Sequence, residues 1–169
     1  MPRPSESEYA PYFLRYIGLV SEPDVLPVLE AQTGLMRAIV SAAAQKEQFA
    51  YASGKWTVRE VAGHVADTER VFGYRALVFG RHDQTALPGF DENAYVAHAR
   101  FNEIALHDLI EEFVFVREAN IRYLKGLPSA AWEAAGVANG RRITVRALAY
   151  LMAGHVTHHL KGLGTNYGI

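Results

Sequence analysis

Val145, Leu148, Met152, His155 and His159 recur at steps of three, four, three and four. That spacing puts five side chains on one face of an α-helix, the seam by which a helix enters a bundle. The first three seam positions are apolar. The last two are imidazoles one turn apart. A chain built this way must bury two histidines among its helices or give them something to bind. The helix is predicted to start after Thr144 as its cap and to run to about Gly162.

The same period can be followed upstream. Thr57-Val58-Arg59-Glu60 has the form of a capping box, in which threonine and glutamate side chains each satisfy an orphan N–H. The helix behind it is predicted to reach about Phe79, with Val61, Val65, Thr68, Phe72 and Phe79 as its apolar stripe. His64 lies at the edge of this stripe. Arg75 lies on it, an unusual residue for a pure core position. An earlier helix is predicted from about Pro23 to Gln45, capped by Ser21 and with Asp24 at its positive end. A third helical region covers Glu92–Lys125, broken near Phe101-Asn102 and stopped by Gly126 and Pro128.

Between these lie loops at Phe49–Trp56 and Arg81–Asn93, a short helical turn at Ser129–Ala134, and a tight turn at Asn139-Gly140 compatible with a small hairpin. Four long helices with no convincing strand pair imply an all-α fold, an up-down-up-down four-helix bundle. The length suits one domain, residues 1–169, with residues 1–22 as an N-terminal arm. Tyr9, Tyr12, Phe13 and Tyr16 make that arm suited to packing on the domain surface or on a partner subunit.

Composition narrows the function. The net charge of −1 and the lack of like-charge runs argue against a nucleic-acid protein. The first residues lack the apolar stretch of a signal peptide, and no apolar run has the length of a membrane span. A cytoplasmic protein is therefore expected. With no cysteine, disulfides, thiolate ligands and a cysteine nucleophile are excluded. Any metal must be held by histidine nitrogen with carboxylate or water oxygen.

His155 and His159 can both reach one ion, as paired histidines of helical zinc motifs do. His64 is the best third ligand from another helix. Three nitrogens and an open position are the usual plan of a catalytic site. A lone inward histidine is more often a hydrogen-bonded core residue, so the pattern alone leaves both readings open. His82, His98 and His107 read as surface or loop residues, and His158 falls on the flank of the seam.

The segments GKWTVREVAGHVADTERVFGYRAL, LPGFDENAYV and ITVRALAYLMAGHVTHHLKGL resemble the DinB family, especially its YfiT-like branch of metal-dependent hydrolases. The arm EYAPYFLRYIGLV is similar to that branch too. The resemblance implies a four-helix bundle, frequently a homodimer, holding one divalent metal ion, zinc or nickel. It implies His64, His155 and His159 as ligands, with His158 filling an additional histidine place. The chain ends soon after His159, before the C-terminal extension of some relatives. Some members resemble transferases and isomerases that act with a low-molecular-weight thiol such as bacillithiol, mycothiol or glutathione, so a small-molecule substrate and a thiol cofactor are implied.

Other residues have two readings. Asp67 could take a proton or orient a ligand imidazole as a weak catalytic candidate; otherwise it belongs to a solvated face. Glu60 reads as a cap partner. Arg75 could bind a carboxylate or phosphate, but a structural pair with a neighbouring glutamate is favoured. Trp56 reads as an apolar anchor, and Asp91 and Glu92 as caps. An enzyme acting through the metal competes with a non-catalytic, metal-stabilised stress-response dimer. A di-iron carboxylate bundle is rejected, because it requires Glu-x-x-His pairs and this chain has none.

Overall fold

Three of the four long helices begin where a side chain accepts a free N–H group, and the exception starts after Ala105. In the computed structural model, which describes residues 1–169, the four are α1 (Val25–Ala42), α2 (Val58–Gly80), α3 (Leu106–Lys125) and α4 (Val145–Gly162). Thr57 Oγ1 accepts from Glu60 N at 3.1 Å, and Glu60 Oε2 accepts from Thr57 N at 2.7 Å, completing the predicted capping box. Thr144 Oγ1 accepts from Ala147 N at 3.1 Å. The first helix differs from expectation: Asp24, not Ser21, is its cap, accepting from Leu26 N at 3.2 Å. No helix is long and apolar enough to cross a membrane.

The four-helix bundle anticipated from the sequence is present, but its helices do not alternate. α1 packs on α3 and α4, and α2 packs on α3 and α4, which leaves α1 and α2 on a diagonal. Tyr150 Oη donates to Glu22 O near the start of α1, and Lys46 Nζ donates to Tyr167 O beyond the ends of α1 and α4. These two helices are therefore parallel. Phe101 meets Gly63 early in α2, and Tyr123 Oη donates to Ala76 O late in it, so α2 and α3 are parallel as well. The direction pattern is up-down-down-up.

The cause lies between α2 and α3. α2 is about 35 Å long at 1.5 Å per residue. Residues 81–105 carry the chain back along that length, using a short helix, Glu92–Ala99, as a strut. That helix ends at Arg100, whose φ of 54° is left-handed, and a 3₁₀ turn follows at Phe101–Glu103. The expected break is thus a full crossover rather than a kink in one long helix.

Asn139 and Gly140, with φ of 51° and 69°, make a two-residue turn between β1 (Ala135–Ala138) and β2 (Arg141–Thr144). Both central residues take positive φ, as a type I′ turn requires. The loop after α2 clips onto this hairpin: Leu87 N donates to Val137 O and Asn139 N donates to Leu87 O. The arm is no loose extension. Phe13, Ile17 and Val20 are buried in the core, with Leu14–Ile17 forming one helical turn. Glu8 ties the arm down through a paired contact with Arg146 at 2.9 and 3.0 Å. Gly154 lets the arm pass close to α4, because a Cβ there would sit 2.2 Å from Tyr16 O.

Candidate metal centre

α2 and α4 are antiparallel neighbours, which brings the second turn of one beside the last turns of the other. His64, on α2, meets His155 and His159, on α4. His155 Nε2 lies 3.1 Å from His64 Nε2 and 3.1 Å from His159 Nε2. All three ligand atoms fall within 4.8 Å of one another. Ring centroids are 4.5 to 5.0 Å apart, and the planes are tilted by 62 to 69°. The rings therefore aim their nitrogens at a common region rather than stack.

These nitrogens cannot satisfy one another. A neutral imidazole nitrogen is either one N–H donor or one lone pair. His155 Nε2 has two neighbours at hydrogen-bond distance and can serve only one of them well. A shared cation resolves this, since it accepts all three lone pairs at once. Nitrogens held about 2.0–2.1 Å from one ion at tetrahedral angles are about 3.3 Å apart, close to the two 3.1 Å separations that His155 makes. The residues present therefore fit a divalent ion.

The protonation state fits as well. Burial pushes His64 down to about 4, with a smaller push from His158. Burial, then His64 and His158, takes His159 down to about 3. His155 is held well below its ordinary range by burial first, then by the neighbouring His159, His64 and His158, and last by Arg117. Neutral imidazole is the form that binds metal.

A cavity of about 240 Å³ opens on the triad. Trp56 and Phe72 flank the imidazoles, with ring centroids 4.7 Å from His64 and 5.8 Å from His155. The arm supplies Tyr12, Phe13 and Tyr16, and Phe90 comes from the loop after α2. Tyr16 lies against both His155 and His158. Polar groups on the wall include Thr68, Arg75, Glu92 and Arg141.

Several expectations need correcting. Asp67 does not join the imidazoles. It sits in a separate surface groove with Tyr95 and His98, 3.7 Å from Arg70. Position 67 is turned about 60° from position 64 around a helix with 3.6 residues per turn, enough to leave the cavity. Arg75 has no glutamate partner: its Nη2 donates to Pro88 O at 3.0 Å, and no carboxylate reaches it. Trp56 is more than an anchor, since its ring covers His64. Glu60 is a cap partner, as anticipated, and His158 is exposed beside His159. The arm aromatics, Phe90 and Arg141 were missed as wall residues. The four aromatics clustered in residues 9–16 were a sequence signal for the arm's share of the wall.

Fold and site together define a helical bundle with a three-histidine cavity between two antiparallel helices. A sequence profile of the DinB superfamily matches residues 29–162, and the chain belongs to that superfamily. Among solved structures, YfiT from Bacillus subtilis superposes with a TM-score of 0.76, covering 85% of this chain and 86% of YfiT at 19% identity. YfiT is described as a probable metal-dependent hydrolase with an unusual four-helix bundle topology. At that identity the likeness is one of fold. No curated protein sequence matches this chain significantly.

Proposed function

We propose that His64, His155 and His159 hold one divalent metal ion, zinc or nickel, and that the protein is a metal-dependent hydrolase or thiol S-transferase acting on small molecules. The observation that carries this reading is the convergence of three neutral imidazole nitrogens that cannot satisfy one another, beside an open cavity. When bound, the ion supplies Lewis acidity at that point. The description of YfiT as a probable metal-dependent hydrolase supports the same class.

The chain's own residues supply the rest. His64, His155 and His159 would hold the ion, and the cavity beside them would leave room for an exchangeable group. Trp56, Phe72 and Tyr16 limit water around the site, which strengthens electrostatic contacts inside it. No side chain of this protein can act as a thiol nucleophile, so S-transfer would use a low-molecular-weight thiol as second substrate. A centre that only braced two helices would gain nothing from the cavity, which favours the enzyme over the metal-stabilised stress-response dimer. Location in the cytoplasm and assembly as a homodimer complete the proposal.

The test is a panel of ester, amide and thiol-conjugation substrates, assayed on zinc-loaded, nickel-loaded and chelated protein beside His159→Ala. Turnover that needs the metal and disappears in the variant is expected. A metal-bound protein that is inert across the panel, with a higher melting temperature than the chelated form, would instead assign the metal a bracing role.

A further inference from the structure

We infer that Arg75 anchors an oxyanion, a carboxylate or phosphate, on the small molecule that the cavity receives. This rests on the reading of the cavity as a substrate site and adds the chemical class of its ligand. The cavity presents a buried cation with no anion to meet it.

Arg75 is 6% exposed and has no acidic partner. An isolated buried charge is expensive, and buried arginines are ordinarily paired. One donor is used by Pro88 O. The Nε and Nη1 groups have no protein partner, although a guanidinium offers five N–H donors in a fork that matches two oxygens. Burial draws the guanidinium below its ordinary range with no counter-charge to offset it. An arginine on the same wall, Arg141, lies over the Tyr12 ring at 4.6 Å and is likewise free of carboxylates. The wall's acid, Glu92, is exposed and pairs with neither arginine.

A second observation points the same way. Thr68 Oγ1 is sealed from solvent and has no hydrogen-bond partner, and Thr68 lines this cavity. His64, Thr68, Phe72 and Arg75 follow one another at steps of four, four and three along one face of α2. The helix thus sets out an imidazole, a hydroxyl, an aromatic ring and a guanidinium in a row about 16 Å long at 1.5 Å per residue. Phe72 links the two ends. Its ring centroid is 5.8 Å from that of His155 and 5.9 Å from Arg75 Cζ. The ligand this row describes has an oxyanion at the Arg75 end, an apolar or aromatic middle, and its reacting group beside the histidines.

The probes are 3-phenylpropanoate, 2-phenylethyl phosphate and the neutral 3-phenylpropanamide. Each is titrated calorimetrically into the full chain, with and without one equivalent of zinc, for wild type, Arg75→Gln and Arg75→Lys. Zinc content and melting temperature are measured on the same samples. Wild type should bind at least one oxyanion about ten- to a hundredfold more tightly than the amide, with and without zinc. Which oxyanion binds better assigns the headgroup. Arg75→Gln should bring that ratio to within about twofold at unchanged zinc content, and Arg75→Lys should restore part of it. Equal affinities for oxyanion and amide, or no binding of either oxyanion to wild type, overturn the inference. So does a preference that survives Arg75→Gln but is lost in the zinc-free samples, because the oxyanion would then sit at the metal. Zinc content alone reports on the metal proposal, so the two can fail separately.

Discussion

Two buried arginines lie on opposite sides of the same division between architecture and chemistry. Arg117, on α3, is fully buried and fully engaged. It makes a two-pronged pair with Glu69 on α2 at 2.9 and 2.8 Å, donates to Gln32 on α1 at 2.7 Å, and approaches Met152 O on α4 at 3.4 Å. One side chain thus touches all four helices. Asn120 adds a 2.7 Å contact to Glu69, and Gln32 donates in turn to Ala153 O at 2.8 Å. Arg75, on α2, is nearly as deep and holds only a loop carbonyl. The same residue type locks the helices together where its donors are spent inside the protein, and faces a cavity where they are left over. Burial alone does not tell structure from function; the state of the donors does.

Breaking the engaged arginine should have the largest effect on stability. Arg117→Met strands the Glu69 carboxylate, which is 2% exposed, and should cost about 3–5 kcal/mol in urea unfolding. Adding Glu69→Leu should recover most of the loss, because the cost is that of an unpaired charge rather than of a missing attraction. If the single variant lost less than about 1 kcal/mol, Arg117 would not be the central lock.

Metal should come next. Zinc at a hundredfold excess over its Kd should stabilise the native state by about 2.7 kcal/mol, visible as a higher Tm. His155→Ala should abolish that shift. An equal shift in the variant would place the metal elsewhere.

The pH response sharpens the contrast further. Metal-free His64 and His159 sit near 4 and 3, below the unfolded value of about 6.5. Between those values the unfolded chain binds more protons, so stability falls as pH drops through about 6.5 towards 4, and this contribution levels off about one unit above 6.5. Urea unfolding at stepped pH should show this slope in wild type and a shallower one in His64→Ala. The smallest change in stability should follow Arg75→Gln. That substitution removes a single hydrogen bond to Pro88 O and strands no carboxylate. About 1 kcal/mol or less is therefore expected, set against several for Arg117→Met.

Local rules carried much of the fold. The capping box at Thr57, the Asn139-Gly140 turn, the Thr144 cap and the seam from Val145 to His159 were all legible, since each depends on residues a few positions apart. The crossover was not. Arg100 takes a left-handed conformation without being glycine, so the chain reversal before Phe101 has no strong local marker. The cap of α1 was misplaced because Ser21 and Asp24 are both good acceptors three residues apart, and Asp24 is the one that meets Leu26 N. In the site, two helix faces made His64, His155 and His159 candidates to meet, and the family resemblance favoured them over the reading as core histidines. The fates of Asp67 and Arg75 did not. A 60° turn around α2 puts Asp67 outside, and the missing acid beside Arg75 depends on segments far from it in sequence, such as the loop that brings Pro88 to it.

The central claim is that three imidazoles share one ion. Elemental analysis of the purified protein beside His64→Ala tests it most directly. One equivalent of a divalent transition metal in the wild type, and a small fraction of that in a folded variant, is the predicted result. A wild type that carries no metal and takes up none on titration with zinc or nickel would contradict it.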